Sequence, residues 1–335
     1  MNSIGMREAA SLLKDAKDKK VMITFHSIGD TDSVAAAVIL SGMLKNSQIS
    51  TPDTITHNAS NTLKKLGRSG SFPNSFIGDA ELVVLVDVNN FEGCGPFEER
   101  LKGFRRDMLV IDHHAKNEIQ GTSVYAFDDE SYNSTSSMVY ELVKELGEDI
   151  SSTNAKLLAL GILSDSAGFK NASYQTFYQL AELFQQAGTS YIELQEEFYK
   201  EPLPERRLEV LSDMCHSESN VHSGMLFICG AAHGHAGDVA DAAIDIGADV
   251  SIFYSENENE VAFSARLRPT FDEKYSLHLG VIMKKAANII GGSGGGHPCA
   301  GGAYGPKKDK ADEFLQELIT QISKRIAESH AGAMK

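Results

Sequence analysis

A chain of 335 residues, 42% hydrophobic and 23% charged, has the composition of an ordinary soluble protein and the length for two domains. Its formal charge of −15, with no basic run longer than pairs such as Arg105-Arg106 and Lys307-Lys308, argues against a protein that tracks long nucleic acid along a basic stripe. No apolar run approaches the roughly 18–20 residues of a membrane helix, residues 1–20 are too polar for a secretory leader, and the dispersed Cys94, Cys215, Cys229 and Cys299 form no CxxC pair, so no membrane partner is expected and the cytoplasm is the simplest compartment.

In chain order, residues 1–20 read as an amphipathic helix, with Ala9, Leu12, Leu13 and Ala16 on one side. Val21–Phe25 reads as a strand running into His26, Asp30 and Asp32, and Ser33–Leu44 as a helix of small apolar residues. Thr54–Asn58 suggests a short strand and Asn61–Leu66 a short helix. Leu82–Val86 is a second apolar strand, ending in Asp87; Asn89 and Asn90 lie just beyond it and suit a loop. Phe97–Phe104 reads as a short charged helix. Leu109–Ile111 is a third strand, ending in Asp112-His113-His114. Ser134–Leu146 is a helix with a hydroxyl-rich start, where a plain N-cap is the simplest role. Leu157–Leu163 is apolar enough for a strand, yet Ser152–Ser164 also reads as a helix; either way it delivers Asp165. Thr176–Ala187 is amphipathic, and 190–218, charged and interrupted at Pro202 and Pro204, is the expected interdomain linker.

Beyond it, Met225–Cys229, Val250–Tyr254 and the alternating Glu260–Arg268 read as strands, and Ala236–Ile246, Leu277–Ile290 and Asp309–Ser329 as helices. Gly291–Gly296 holds five glycines in six residues before His297, a composition that lets backbone amides approach an anion but that linkers share. His233 and His235 flank Gly234 without a third ligand at recognisable spacing, and are read as loop histidines.

Four apolar runs ending in carboxylate or imidazole are what a metal site at the carboxyl edge of a parallel sheet requires. Two dications about 3.5–4 Å apart repel by roughly 18 kcal/mol at an effective dielectric of 20. Asp30, Asp32, Asp87 and Asp165 supply four compensating charges, and His26 and His113 add nitrogen donors.

These motifs, His26-Ser-Ile-Gly-Asp30-Thr-Asp32-Ser33, Asp87, Asp112-His113-His114 and Gly161-Ile-Leu-Ser-Asp165, resemble the four motifs of the DHH phosphoesterases. Gly291–Gly301 resembles the substrate-binding motif of the DHH-associated C-terminal domain, and size and layout are most similar to stand-alone nanoRNases, pAp phosphatases and dinucleotide phosphodiesterases. The resemblance implies an α/β chain: a parallel-sheet DHH catalytic domain over 1–189, a helical linker over 190–218, a smaller α/β substrate-binding domain over 219–335, and an active site in the cleft between the domains. It implies two Mn²⁺ ions, with Mg²⁺ or Co²⁺ as substitutes, held by His26, Asp30, Asp32, Asp87, His113 and Asp165, Asp87 being the best bridge. Hydroxide between the ions would attack phosphorus. Asp112 would orient an imidazole, His114 would hold phosphate or protonate the leaving oxygen, and the start of the Ser134–Leu146 helix would lie near the site as well as cap the helix. Ser264 and Arg266 match the family's strand motif; with the weaker candidate Arg268, and Gly294, Gly295, Gly296 and His297, they would grip substrate.

The expected partner is a short oligonucleotide or dinucleotide (nanoRNA, pAp, or a linear or cyclic dinucleotide). A homodimer is left open. A single-strand exonuclease and an inactive, partner-binding accessory protein are the alternatives; a pyrophosphatase or polyphosphatase would share the metal site but need more lysines and arginines.

Overall fold

The computed structural model describes residues 2–114, 117–166, 169, 172–198, 204–269 and 271–333. They form two compact units, Met1–Lys200 and Glu201–Lys335. The first unit contains strands β1 (Asn2–Ser3), β2 (Val21–Thr24), β3 (Ile28–Gly29), β4 (Ser47–Ile49), β5 (Thr54–Ile55), β6 (Leu82–Val86), β7 (Asp107–Asp112) and β8 (Val124–Asp128). Its helices are α1 (Met6–Asp15), α2 (Thr31–Met43), α3 (His57–Lys65), α4 (Glu98–Gly103), α5 (Thr135–Leu146), α6 (Ser152–Asp165), α7 (Tyr174–Ala187) and α8 (Tyr191–Phe198).

Six of these strands make one sheet in the order β1-β8-β7-β6-β2-β4, parallel throughout. A parallel sheet needs cover on both faces, which explains the unbroken apolar runs. Leu109 and Ile111 of β7 face a core shared with α1, α2, α5 and α6, while Met108 and Val110 face Phe97, Leu101 and Phe104 on the other side. Helices α2 and α6 are buried nearly all round, so they lack the polar stripe that marks a surface helix. That is why Leu157–Leu163 also reads as a strand; it is helical, and Asp165 is its last residue.

The second unit contains α9 (Pro204–Cys215), β9 (Glu218–His222), β10 (Met225–Ala231), α10 (Ala236–Asp245), β11 (Val250–Glu256), β12 (Val261–Leu267), α11 (Phe271–Tyr275), α12 (Leu279–Ala286), β13 (Ser293–Gly296), β14 (Ala300–Gly305) and α13 (Ala311–Ala333). Its separate sheet runs β13-β14-β12-β11-β10-β9, with only β10 and β11 parallel. Phe263, Ala265 and Leu267 of β12 face α12 and α13, while the opposite face packs on α10 through Ile228 and Phe253. The expected linker divides: α8 buries Leu194 in the first unit's core and α9 packs on α10 in the second, while residues 199–203, Pro202 among them, lie outside the described residues.

The glycine-rich stretch is a strand rather than a loop. It pairs with β14 and lies against α12 so closely that a Cβ on Gly294 would meet the Met283 carbonyl oxygen at 2.8 Å and the Ala303 Cβ at 3.0 Å. Packing of α12 on the hairpin therefore demands glycine there, whatever else the stretch does. Gly295 is different: a Cβ there would meet nothing within 4 Å.

Candidate metal centre

The carboxyl ends of β2, β6 and β7 and the C-terminus of α6 converge on one cluster. His26 lies just past β2. Asp30 caps α2, its Oδ1 accepting the Ser33 amide at 2.9 Å and the Ser33 hydroxyl at 3.0 Å. Asp32, in the first turn of α2, is fully buried. Its two carboxylate oxygens accept the backbone amides of Thr135 (2.7 Å) and Ser136 (2.8 Å) at the start of α5. A carboxylate on free amides at the positive end of a helix is favourable, and the arrangement fixes Asp32 in one orientation.

Asp87 is the hub. It follows β6 directly in a left-handed backbone conformation (φ 60°) that aspartate tolerates better than most residues, and its amide donates to the Ile111 carbonyl at 3.0 Å. One carboxylate oxygen, Oδ2, lies 3.5 Å from His26 Nε2. The other, Oδ1, lies 3.5 Å from His113 Nε2 and 3.7 Å from His114 Nδ1, and accepts the Thr135 hydroxyl at 3.0 Å. His113 Nε2 also lies 3.0 Å from Asp165 Oδ2, and His26 Nε2 lies 3.7 Å from Asp30 Oδ1. Asp112, fully buried at the end of β7, accepts from His114 Nδ1 at 2.8 Å and leaves the half-exposed ring's Nε2 free of that bond.

The electrostatics are those of a site built for cations. Burial, then the charges of Asp165, Asp87 and Asp30, push the Asp32 carboxyl up; burial likewise raises Asp165. Burial would also raise Asp87, but His113 and His26 beside it hold it below the usual carboxylate range. Burial would lower both imidazoles, yet Asp30 and Asp87 push His26 up to about 10, and Asp165 and Asp87 push His113 up to about 11.

Divalent cations fit this donor set. Asp32, Asp87, His113 and Asp165 each offer an atom within 4.8 Å of the others, and so do His26, Asp30 and Asp87. Asp87, His113 and His114 form a third such group; all three share Asp87, whose Oδ2 faces His26 and whose Oδ1 faces His113. His113 Nε2 is buried and makes no hydrogen bond despite its acidic neighbours, as suits a nitrogen reserved for a cation. Oxygen and imidazole donors without thiolate favour hard or borderline dications.

The structure also locates the residues expected to bind substrate. Ser264 and Arg266 share the face of β12 opposite α12, beside the start of α10: a Cβ on Gly237 would lie 3.7 Å from Ser264 Oγ and 3.8 Å from Arg266 Nη2. Ser264, Gly302 and Gly295 lie abreast across three strands, so a nearly side-chain-free strip of backbone extends from Ser264. His297 is exposed at the β13–β14 turn. Both arginines already have acidic partners: Arg266 is bidentate to Asp241 (2.8 and 3.3 Å), and Arg268 pairs with Asp249 at 3.0 Å and donates to the Gly247 carbonyl at 3.1 Å. Asn90 caps its own turn, accepting from the Gly93 amide at 2.7 Å, and His233 pairs with buried Asp213 at 2.5 Å.

The start of α5, expected near the site, supplies direct contacts, and one further contributor escapes a linear reading. Thr135 and Ser136 bind Asp32 and Asp87 directly, and the available signal was that Ser134-Thr-Ser-Ser opens α5 with more hydroxyls than one cap uses. Asp241, the partner of Arg266, carries no motif.

Fold and cluster together define a two-unit α/β protein with an aspartate–histidine centre at the carboxyl edge of a parallel sheet. Residues 20–162 match the DHH family, N-terminal domain, and residues 226–324 match the DHHA1 domain. The chain belongs to the DHH phosphoesterase family. It is 27% identical over 334 residues to an uncharacterized protein of Methanocaldococcus jannaschii, covering 96% of this chain and 98% of the relative. Among solved structures, an exopolyphosphatase-related protein from Bacteroides fragilis superposes with a TM-score of 0.76 at 17% identity, over 97% of each chain. RecJ from Thermus thermophilus, solved in complex with Mn²⁺, gives a TM-score of 0.51 at 15% identity, over 96% of this chain and 55% of RecJ. At these identities the likeness to the two solved structures is one of fold. Among the described residues no helix is long and apolar enough to cross a membrane.

Proposed function

We propose that this chain is a divalent-metal-dependent phosphodiesterase acting on dinucleotides or short oligonucleotides, with Mn²⁺ as its working ion. The observation that carries this reading is the shared Asp87, whose two oxygens face two separate Asp/His groups. The Mn²⁺-bound form of RecJ supports the choice of ion. Bound divalent metal supplies Lewis acidity toward a phosphoryl oxygen and an activated water.

The chain's own residues do the rest. His26, Asp30, Asp32, Asp87, His113 and Asp165 hold the ions, and Thr135 and Ser136 keep Asp32 and Asp87 from turning away. His114, oriented by Asp112, presents Nε2 to the scissile phosphate or its leaving oxygen. Arg266 carries a fork suited to a second phosphate of the same substrate, exchanging Asp241 for it, and His297 assists. Ser264 and Gly295 offer a flat backbone edge beside that phosphate.

Turnover of a generic phosphodiester, with and without Mn²⁺, tests the enzyme reading; a metal-loaded chain with no turnover would favour the accessory-protein reading. Arg266→Ala and His297→Ala should each cut kcat/KM on dinucleotides by about tenfold or more while metal content stays unchanged. A parallel fall in metal content would place these residues with the ion-binding groups instead. Net negative charge and a single arginine fork predict that kcat/KM peaks at two to about five nucleotides and falls for strands of about twenty. A preference for the longer strand with steep salt dependence would point to a single-strand exonuclease.

A further inference from the structure

The layer of helices behind β12 holds a groove of about 400 Å³, between the segment Ser276–Ile282 and the C-terminal half of α13. Lys285, Lys324 and Arg325 stand exposed around it, and Val281 and Ile282 form an apolar wall. The acid lining it, Glu328, lies 4.0 Å from both Lys324 Nζ and Arg325 Nη1, at the limit of an ion pair and worth little in solvent. Lys285 has no acidic partner among the described residues. In a chain of 31 basic and 46 acidic residues, three cations against one carboxylate reverse the local sign. The concavity therefore presents a local positive potential to an anion.

The groove is also distinct from the substrate residues described above. Phe263, Ala265 and Leu267 face α12 and α13, whereas Ser264 and Arg266 alternate onto the opposite side of the same sheet. We propose that the groove binds a small phosphorylated ligand of mononucleotide size, its phosphate held by Lys285, Lys324 and Arg325 and its flat apolar part laid on Val281 and Ile282. The volume lies near the lower end of the roughly 300–1,000 Å³ of small-molecule sites, which suits a mononucleotide rather than an extended polyanion. Nothing in this inference depends on the metal centre.

Lysine acylation of the full chain, quantified by mass spectrometry with adenosine 5′-monophosphate as probe and no added metal, tests it. Lys284, exposed on the same helix but outside the groove, is the internal reference. The nucleotide should protect Lys285 and Lys324 and leave Lys284 reactive. The double variant Lys285→Glu/Lys324→Glu should weaken nucleotide affinity by about tenfold or more, and Arg266→Ala should leave protection intact. Equal protection of Lys284, or equal protection by sodium chloride at matched ionic strength, would overturn the proposal. So would loss of protection in Arg266→Ala. Protection by inorganic phosphate as strong as by the nucleotide would remove any role for the apolar wall and defeat the size assignment. Protection by an oligoglutamate but not by the nucleotide would give the groove to an acidic peptide.

Discussion

Replacing Asp87 with alanine is expected to lower phosphodiester turnover by at least about 10³-fold, as deletion of a central electrostatic group does, and to reduce bound metal. Asp87 is the one residue common to all three candidate ion-binding groups, and two imidazoles direct their Nε2 atoms toward it. Alanine at φ 60° adds backbone strain to the lost carboxylate, so Asp87→Asn is the informative companion. Asparagine accepts the left-handed conformation and can still accept the Thr135 hydroxyl, while losing the negative charge. Circular dichroism should show both variants folded, with metal analysis and kcat reporting the loss. Turnover near that of the parent in Asp87→Asn would remove Asp87 from the centre.

Gly161→Val should destabilise the first unit by about 3 kcal/mol or more, through overpacking and a β-branched side chain at a closed helix contact. Helix α6 crosses α5 and α2 at this residue, and a Cβ there would collide with the Ser136 hydroxyl and approach Ser136 Cβ to 2.9 Å and Ala35 Cβ to 3.1 Å. The effect reaches the centre because Ser136 also donates its amide to Asp32. Gly161→Val should therefore bind Mn²⁺ more weakly even under conditions where it remains folded, while Gly161→Ala shows a smaller loss, offset in part by the better helix propensity of alanine. Denaturant unfolding and metal titration measure the two effects. An unchanged unfolding midpoint in Gly161→Val would mean that the helices separate freely and that the glycine is not required.

The centre was legible in the sequence because a parallel sheet writes its site as apolar runs followed abruptly by polar residues. Strands β2, β6 and β7 follow that grammar, and the acids and imidazoles after them meet in space. Other parts were illegible for physical reasons. Strand β13 reads Ser-Gly-Gly-Gly and has no side-chain alternation to betray it; its strand character comes from β14 and α12. Strand β1 is two residues on a sheet edge, and its pairing with β8 is entirely long-range. Helix α6 hides its period because neighbours enclose every side. The pairing of Arg266 with Asp241 and of Arg268 with Asp249 depends on where α10 and β11 pass, which no local pattern of arginines encodes.

The donors of the centre come from four separated places along the chain: 26–32, 87, 113 and 165. An unfolded chain holding such a set gains little from an ion, since joining donors from different places would require closing loops of tens of residues. Metallation is thus expected to be a late event, following assembly of β2, β6 and β7 and docking of α6, in contrast to small domains whose ion nucleates the fold. On that order the protein would select the ion with a finished cage, and the bound ion would add equilibrium stability by binding the native state alone. A chelator should leave a folded, refillable chain, and Mn²⁺ added to the denatured protein should not hasten its refolding.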